Sequence, residues 1–171
     1  MKKHIAFVCN GNIHRSVVAA ESLRKILNER KIGQSFFVDS YGLQGTKGTD
    51  LPKHKHLFEY PKEWEAAKPT LQKLDIDISK HSFQKISGAV MRKANTVIAM
   101  DNKVYSRAKN SLMNQFPNYA SKVHCFSELT KRNRVIKDPA GSGSKKLHKE
   151  VIENILSTLS KKYKEVLAWT E

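Results

Sequence analysis

The sequence predicts an α/β domain of three layers, a four-stranded parallel sheet flanked by helices, with a phosphate-binding loop after the first strand. Three observations predict it. Short, continuously apolar runs recur along the chain, as strands covered on both faces require. Helical patterns alternate with them, which joins the strands in parallel. A loop containing Gly11 and two asparagines follows the first run, where an open α/β sheet places its ligands. The 171 residues fit one domain, 1–171. A chain of that size buries about 68–70% of its unfolded surface and requires no covalent staple.

Ile5-Ala6-Phe7-Val8 is the first strand. Ser16 is placed to cap a helix running to about Arg30, with Ala20, Leu23, Ile26 and Leu27 on one face and Gly33 as its stop. Phe36-Phe37-Val38 reads as the second strand. From Gly42 to Pro69, three glycines, three prolines and a His54-x-His56 pair interrupt any period. Two short helices fit there and just beyond, near Lys62–Ala67 and Thr70–Leu74. Thr96–Ala99 is the third strand. Asp101 or Asn102 caps a helix carrying Val104, Tyr105, Ala108 and Leu112, closed by Pro117. Lys122–Phe126 is the fourth strand. A loop at Asp138–Gly143 leads into a last helix, where Leu147, Val151, Ile155, Leu159 and Tyr163 recur at i,i+4 and Ile152 and Leu156 widen the stripe.

Composition excludes several classes. With 39% hydrophobic and 27% charged residues the chain is not of disordered type. Two cysteines, Cys9 and Cys125, exclude a disulfide scaffold and fit a reducing, cytoplasmic compartment. No apolar run approaches the roughly 18 residues of a membrane span. The basic Met1–His4 start is followed by too short an apolar run for a signal peptide. The net charge of +15 invites a nucleic-acid reading. However, it comes from 24 lysines and seven arginines scattered along the chain, without zinc-finger spacing or an aromatic RNA-binding signature. Scattered lysine reads as a solvated surface that attracts anions in general, and nucleic acid is set aside as a partner.

The chemistry concentrates in Cys9-Asn10-Gly11-Asn12-Ile13-His14-Arg15-Ser16. Backbone N–H groups of such a loop, with the helix N-terminus behind it, make an anion site. Gly11 and Asn12 suit the positive φ angles that the turn needs. Inside this ring of donors Cys9 is a candidate thiolate nucleophile. Arg15 can hold two phosphate oxygens in a fork, and Ser16 can donate to the thiolate. Phosphoryl transfer to sulfur also needs an acid for the leaving oxygen. Asp138 is the candidate, although Asp-Pro is equally an ordinary turn pair.

Cys9 to Ser16 resembles the phosphate-binding loop of the low-molecular-weight protein tyrosine phosphatases, Cys-x-Gly-Asn-x-Cys-Arg-Ser. Four further segments agree in order: Asp39-Ser40, Ile76-Asp77-Ile78-Ser79-Lys80-His81, Val97–Asp101 and Asp138-Pro139. The resemblance covers nearly the whole chain apart from about residues 47–70. It implies that Cys9 becomes phosphorylated, that Arg15 binds the phosphoryl group, and that Asp138 serves as acid and then as base. It implies that Ser16 supports the thiolate and that Asn12, Ser40 and His81 hold the loop in shape. The backbone of Asn10, Gly11, Ile13 and His14 completes the phosphate site. No metal or cofactor is implied. The resemblance implies a phosphotyrosine-bearing protein or a small phosphate monoester as substrate and inorganic phosphate as product.

The sequence departs from the pattern in four places. His14 replaces the second loop cysteine, so a protective disulfide with Cys9 is not expected and His14 fills space. Ala140 and Gly141 stand where aromatic residues usually follow the Asp-Pro, and Thr46 and Lys47 where a rim tryptophan falls. An open, basic rim is the expectation. The inserted stretch at about 47–70 is expected to form a surface subdomain near that rim. His54 and His56 lack the Cys or acidic partners of a metal site. Related arsenate reductases need two further cysteines, and only Cys125 remains. Related arginine phosphatases carry Thr where Ile13 stands. A module that binds phosphate or polyanions without turnover would have lost Cys9, Arg15 or Asp138, and all three are present.

Overall fold

The structure is a computed structural model that describes all 171 residues. Its sheet holds β1 (Lys3–Cys9), β2 (Phe36–Gly42), β3 (Thr96–Ala99) and β4 (Val123–Cys125) in the order β2-β1-β3-β4, all parallel. Strand β1 is central and its Ile5, Ala6, Phe7 and Val8 are fully buried. That burial explains the unbroken apolar run, because helices cover both faces of the sheet. Helices α1 (Arg15–Glu29), α2 (Pro61–Lys73) and α5 (Lys145–Ala168) pack on one face, with the larger core beneath them. The short α3 (Gly88–Lys93) and α4 (Leu112–Gln115) cover the other.

Register positions the site. Cys9 pairs with Gly42, and Val8 with Ala99. The carboxyl ends of β1, β2 and β3 therefore finish together, which brings Ser40, Gly42 and Asp101 around the loop after Cys9. Helix α5 keeps the predicted stripe, with Val151, Ile152, Ile155 and Leu159 buried against α1 and α2. Burying each such side chain contributes about 1.5–3 kcal/mol.

Several elements differ from the sequence reading. Strand β2 runs to Gly42 rather than Val38. Helix α1 ends without Gly33: Lys31 takes the left-handed conformation (φ 59°), and the N–H groups of Lys31 and Ile32 return to the carbonyls of Asn28 and Leu27. The two short helices are one, α2, which continues through Pro69. Ala66, Ala67, Thr70 and Leu71 are buried on either side of that proline, and this packing outweighs the lost hydrogen bond. The helix expected after Asp101 is a single wide turn over Lys103–Arg107, followed by α4 with its own cap, Ser111. Phe126 has left β4 and begins a tight turn. Residues 47–70 do not stand apart on the surface, because Leu57 and the inner face of α2 belong to the larger core.

Candidate active site

The loop Asn10–His14 turns the chain from β1 into α1. The backbone N–H groups of Asn10, Gly11, Ile13, His14, Arg15 and Ser16 have no partner within the protein. They converge at a helix N-terminus, which is the construction of an anion site. Asn12 alone takes a positive φ, 51°, and its N–H donates to Cys9 Sγ at 3.2 Å.

Ser16 is not a helix cap. It lies buried within the first turn of α1, whose preceding residue, His14, makes no side-chain cap. Its hydroxyl lies 3.0 Å from Cys9 Sγ. The network decides the proton. Asn12 Oδ1 accepts from the Gln84 N–H (2.7 Å), so Nδ2 is the donor to Ser40 Oγ (2.9 Å) and Ser16 Oγ (3.1 Å). Ser16 accepts from Asn12 and is left to donate toward sulfur.

Three more groups hold this loop. His81 Nε2 donates to the Asn12 carbonyl at 2.8 Å. Burial lowers the His81 pKa against the opposing pull of that bond. Asp39 Oδ1 accepts from the Ser40 N–H and from Gln84 Nε2, each at 2.8 Å. Gly42 is the place where a glycine is required: a Cβ there would lie 2.9 Å from Asn12 Cβ and 3.1 Å from the Asn10 carbonyl oxygen.

Arg15 is 3% exposed and reaches two carboxylates. Nη1 donates to Asp101 Oδ2 at 2.7 Å and to the Ile136 carbonyl at 3.4 Å, while Nη2 donates to Asp138 Oδ2 at 2.9 Å. Burial pulls its pKa down, but Asp138, Cys9 and Asp101 outweigh burial and hold it above the ordinary value. Asp101 does two jobs, since its Oδ1 also caps the Val104 N–H at 2.8 Å. Asp138 is half exposed and its Oδ1 accepts from the Ala140 N–H at 3.1 Å.

His14 fills space, as expected, but through a partner that the sequence reading missed. Its Nε2 lies 3.0 Å from Nδ1 of His148, on α5. His148 Nε2 donates to the Ser142 carbonyl at 2.7 Å, so His148 Nδ1 is the acceptor and His14 Nε2 the donor. Burial, then His148 and Arg15, push the His14 pKa down to about 3. His14 is therefore neutral beside Cys9. The two histidines tie the loop after β1 to the loop that carries Asp138.

The pocket above Cys9 measures about 360 Å³. Its rim is not basic, because Arg15 is the one lysine or arginine in its lining. Leu57, Tyr60 and Glu63, from the stretch about 47–70, line it together with Gln44. Tyr60 is fixed by its hydroxyl, which accepts from the His54 N–H (3.0 Å) and donates to the His54 carbonyl (3.2 Å). Glu63 Oε1 accepts from the Gly141 N–H at 3.0 Å and tethers the Asp138 loop to α2. Thr46 is buried below, bonded to the Leu43 carbonyl. Both ring nitrogens of His56 are engaged with backbone groups, the Ile78 carbonyl and the Phe58 N–H.

Asp101, His148, Tyr60 and Glu63 were thus not identified as site residues from sequence. His148 left a signal: it sits on the apolar stripe of α5, one turn before Ile152. A buried arginine also demands a carboxylate, and Asp101 stands at the strand end beside β1. Tyr60 and Glu63 lay in the stretch without a period and left none.

A parallel sheet whose central strand runs into a loop of free N–H groups, with a cysteine at its base, has the geometry of an anion site. The chain belongs to the low molecular weight phosphotyrosine protein phosphatase family, which it matches over residues 4–168. It is a phosphatase of that family. Solved structures share the fold. The YwlE mutant from Bacillus subtilis is 23% identical with a TM-score of 0.73, covering 97% of this chain and 99% of that one. The low molecular weight protein tyrosine phosphatase from T. tengcongensis is 24% identical with a TM-score of 0.70, covering 96% and 99%. Vibrio vulnificus Wzb, in complex with benzylphosphonate, is 19% identical with a TM-score of 0.71, covering 96% and 99%. No curated relative matches the chain. No helix is long and apolar enough to cross a membrane.

Proposed function

We propose that this protein hydrolyses phosphotyrosine in proteins through a phosphocysteine on Cys9. The carrying observation is the position of Cys9 Sγ, at the base of a loop whose six backbone N–H groups have no protein partner. These donors and Arg15 bind the phosphoryl oxygens. Cys9 Sγ attacks phosphorus, the ester P–O bond breaks, and Asp138 gives a proton to the leaving oxygen. Water then attacks phosphorus, Asp138 takes its proton, and the P–S bond breaks. Inorganic phosphate leaves and the Cys9 thiolate is restored, with Ser16 donating to it. Asn12, Ser40 and His81 keep the loop in place, so that no rearrangement is needed as charge develops.

Tyr60 supports an aryl phosphate over an alkyl one. It gives the pocket an aromatic wall at a rim where Ala140 and Gly141 offer none. The test is hydrolysis of p-nitrophenyl phosphate at mildly acidic pH, without added metal, by wild type and Cys9→Ser. Turnover that vanishes in the variant and is blocked by vanadate is the expected result. Turnover that survives Cys9→Ser would refute the phosphocysteine.

A further inference from the structure

Beside the active site, and separate from it, a groove of about 260 Å³ runs between residues 129–137 and α5. Its chemistry is cationic. Lys131, Arg134, Lys137, Lys161 and Lys162 line it, against a single carboxylate, Glu150. None of Lys131, Arg134, Lys137 and Lys161 has a carboxylate within ion-pair distance; Lys162 pairs with Glu165 on its own helix. Between the charges lie apolar Val135 and the polar Asn154, Ser157 and Thr158. Most of the +15 charge is scattered, whereas here four unpaired cations share one concavity.

The groove shares a wall with the catalytic machinery. Ile136 lines the groove while its carbonyl accepts from Arg15, and Asp138, two residues on, binds the same guanidinium. Arg134 to Asp138 spans at most about 14 Å of chain. A ligand in the groove therefore lies a few residues from a phosphate held by Arg15. Along α5 the lining extends from Glu150 to Lys162, about 18 Å at 1.5 Å per residue. That length takes five or six residues of extended peptide. Mixed apolar, hydroxyl and cationic lining at this spacing suits a peptide better than a compact polyphosphate, which needs donors converging on one point.

We propose that this groove docks an acidic segment flanking the phosphorylated residue of a protein substrate. The proposal rests on the phosphatase reading above and deepens it to a substrate class. Lys161, Lys162 and Arg134 attract the carboxylates, and Lys137 faces those nearest the phosphate. Because these cations are exposed, their contribution is screened by salt.

Two phosphotyrosyl peptides of equal length test it, one with glutamate flanks and one with glutamine flanks. Wild type is expected to favour the glutamate peptide about tenfold in kcat/KM, carried mainly by KM, the scale of two or three exposed charge pairs. The preference disappears at high salt and in Arg134→Glu/Lys161→Glu, and shrinks in Arg134→Gln/Lys161→Gln. Both residues are exposed and donate no side-chain hydrogen bond, so p-nitrophenyl phosphate turnover and Tm should stay at wild-type values. Equal turnover of the two peptides, or a preference untouched by both double variants, overturns the proposal. An oligonucleotide that displaces the glutamate peptide at equal affinity makes the groove a general polyanion site and also overturns it. If p-nitrophenyl phosphate is not hydrolysed, the phosphatase reading fails instead. The groove is then judged by anisotropy of a labelled unphosphorylated glutamate peptide: binding weakened by Arg134→Glu/Lys161→Glu upholds it, and unchanged or absent binding overturns it.

Discussion

His14 makes stability depend on pH in a direction that can be calculated. Its ring is buried and neutral, donating to His148, and its folded pKa is about 3 against 6.5 for a free histidine. A histidine whose pKa is depressed on folding contributes fully above the unfolded value and loses that contribution as pH falls toward the folded one. Between about pH 7.5 and about pH 4.5 the unfolded ring takes up a proton and the folded ring does not. At about 1.4 kcal/mol per unit, the loss is about 3 kcal/mol. His14→Gln removes this proton linkage. At neutral pH the glutamine amide still offers a donor to His148 Nδ1, so the variant should be less stable by no more than about 1 kcal/mol. At about pH 4.5 that deficit should vanish or reverse, since the wild type carries the linkage and the variant does not. Urea unfolding followed by circular dichroism at both pH values measures the difference. Titrating groups that do not touch His14 are common to both proteins and cancel in it. Wild-type and variant stability curves that run parallel across this range would refute a neutral, buried His14.

Three further outcomes follow from the site. Asp138→Ala should slow hydrolysis by about 10²–10⁴-fold for alkyl phosphates and much less for p-nitrophenyl phosphate, whose leaving group needs no proton; equal losses for both would remove Asp138 as the acid. Asp101→Asn keeps the cap on Val104 but sets an amide donor against Arg15 Nη1, which should cost about 1–3 kcal/mol in urea unfolding and lower kcat/KM by up to about a hundredfold. Gly42→Ala places a methyl 2.9 Å from Asn12 Cβ and 3.0 Å from the Phe83 ring, so a modest stability loss of about 1–3 kcal/mol should accompany a disproportionate loss of turnover; unchanged kcat would show that the loop tolerates the displacement.

Much of this protein was legible because local rules wrote it. Ile5–Val8 reads as a strand covered on both faces, and the stripe from Leu147 to Tyr163 as an amphipathic helix, and the fold has both. Cys9 to Ser16 stood out because an anion site is built from consecutive backbone N–H groups, which lie close in sequence by necessity. What the tertiary structure alone decided joins residues far apart in the chain. Arg15 meets Asp101 because parallel register brings the ends of β1 and β3 together, and Asp138 because the loop before α5 carries it back to the same guanidinium. His14 meets His148 across 134 residues, and burial first, with that contact and Arg15 behind it, holds it neutral. Pro69 reads as a helix break, yet burial on both sides of it holds α2 straight through. Tyr60 and Glu63 come from the stretch with no period, because a pocket wall is specified by packing against the sheet and not by any spacing along the chain.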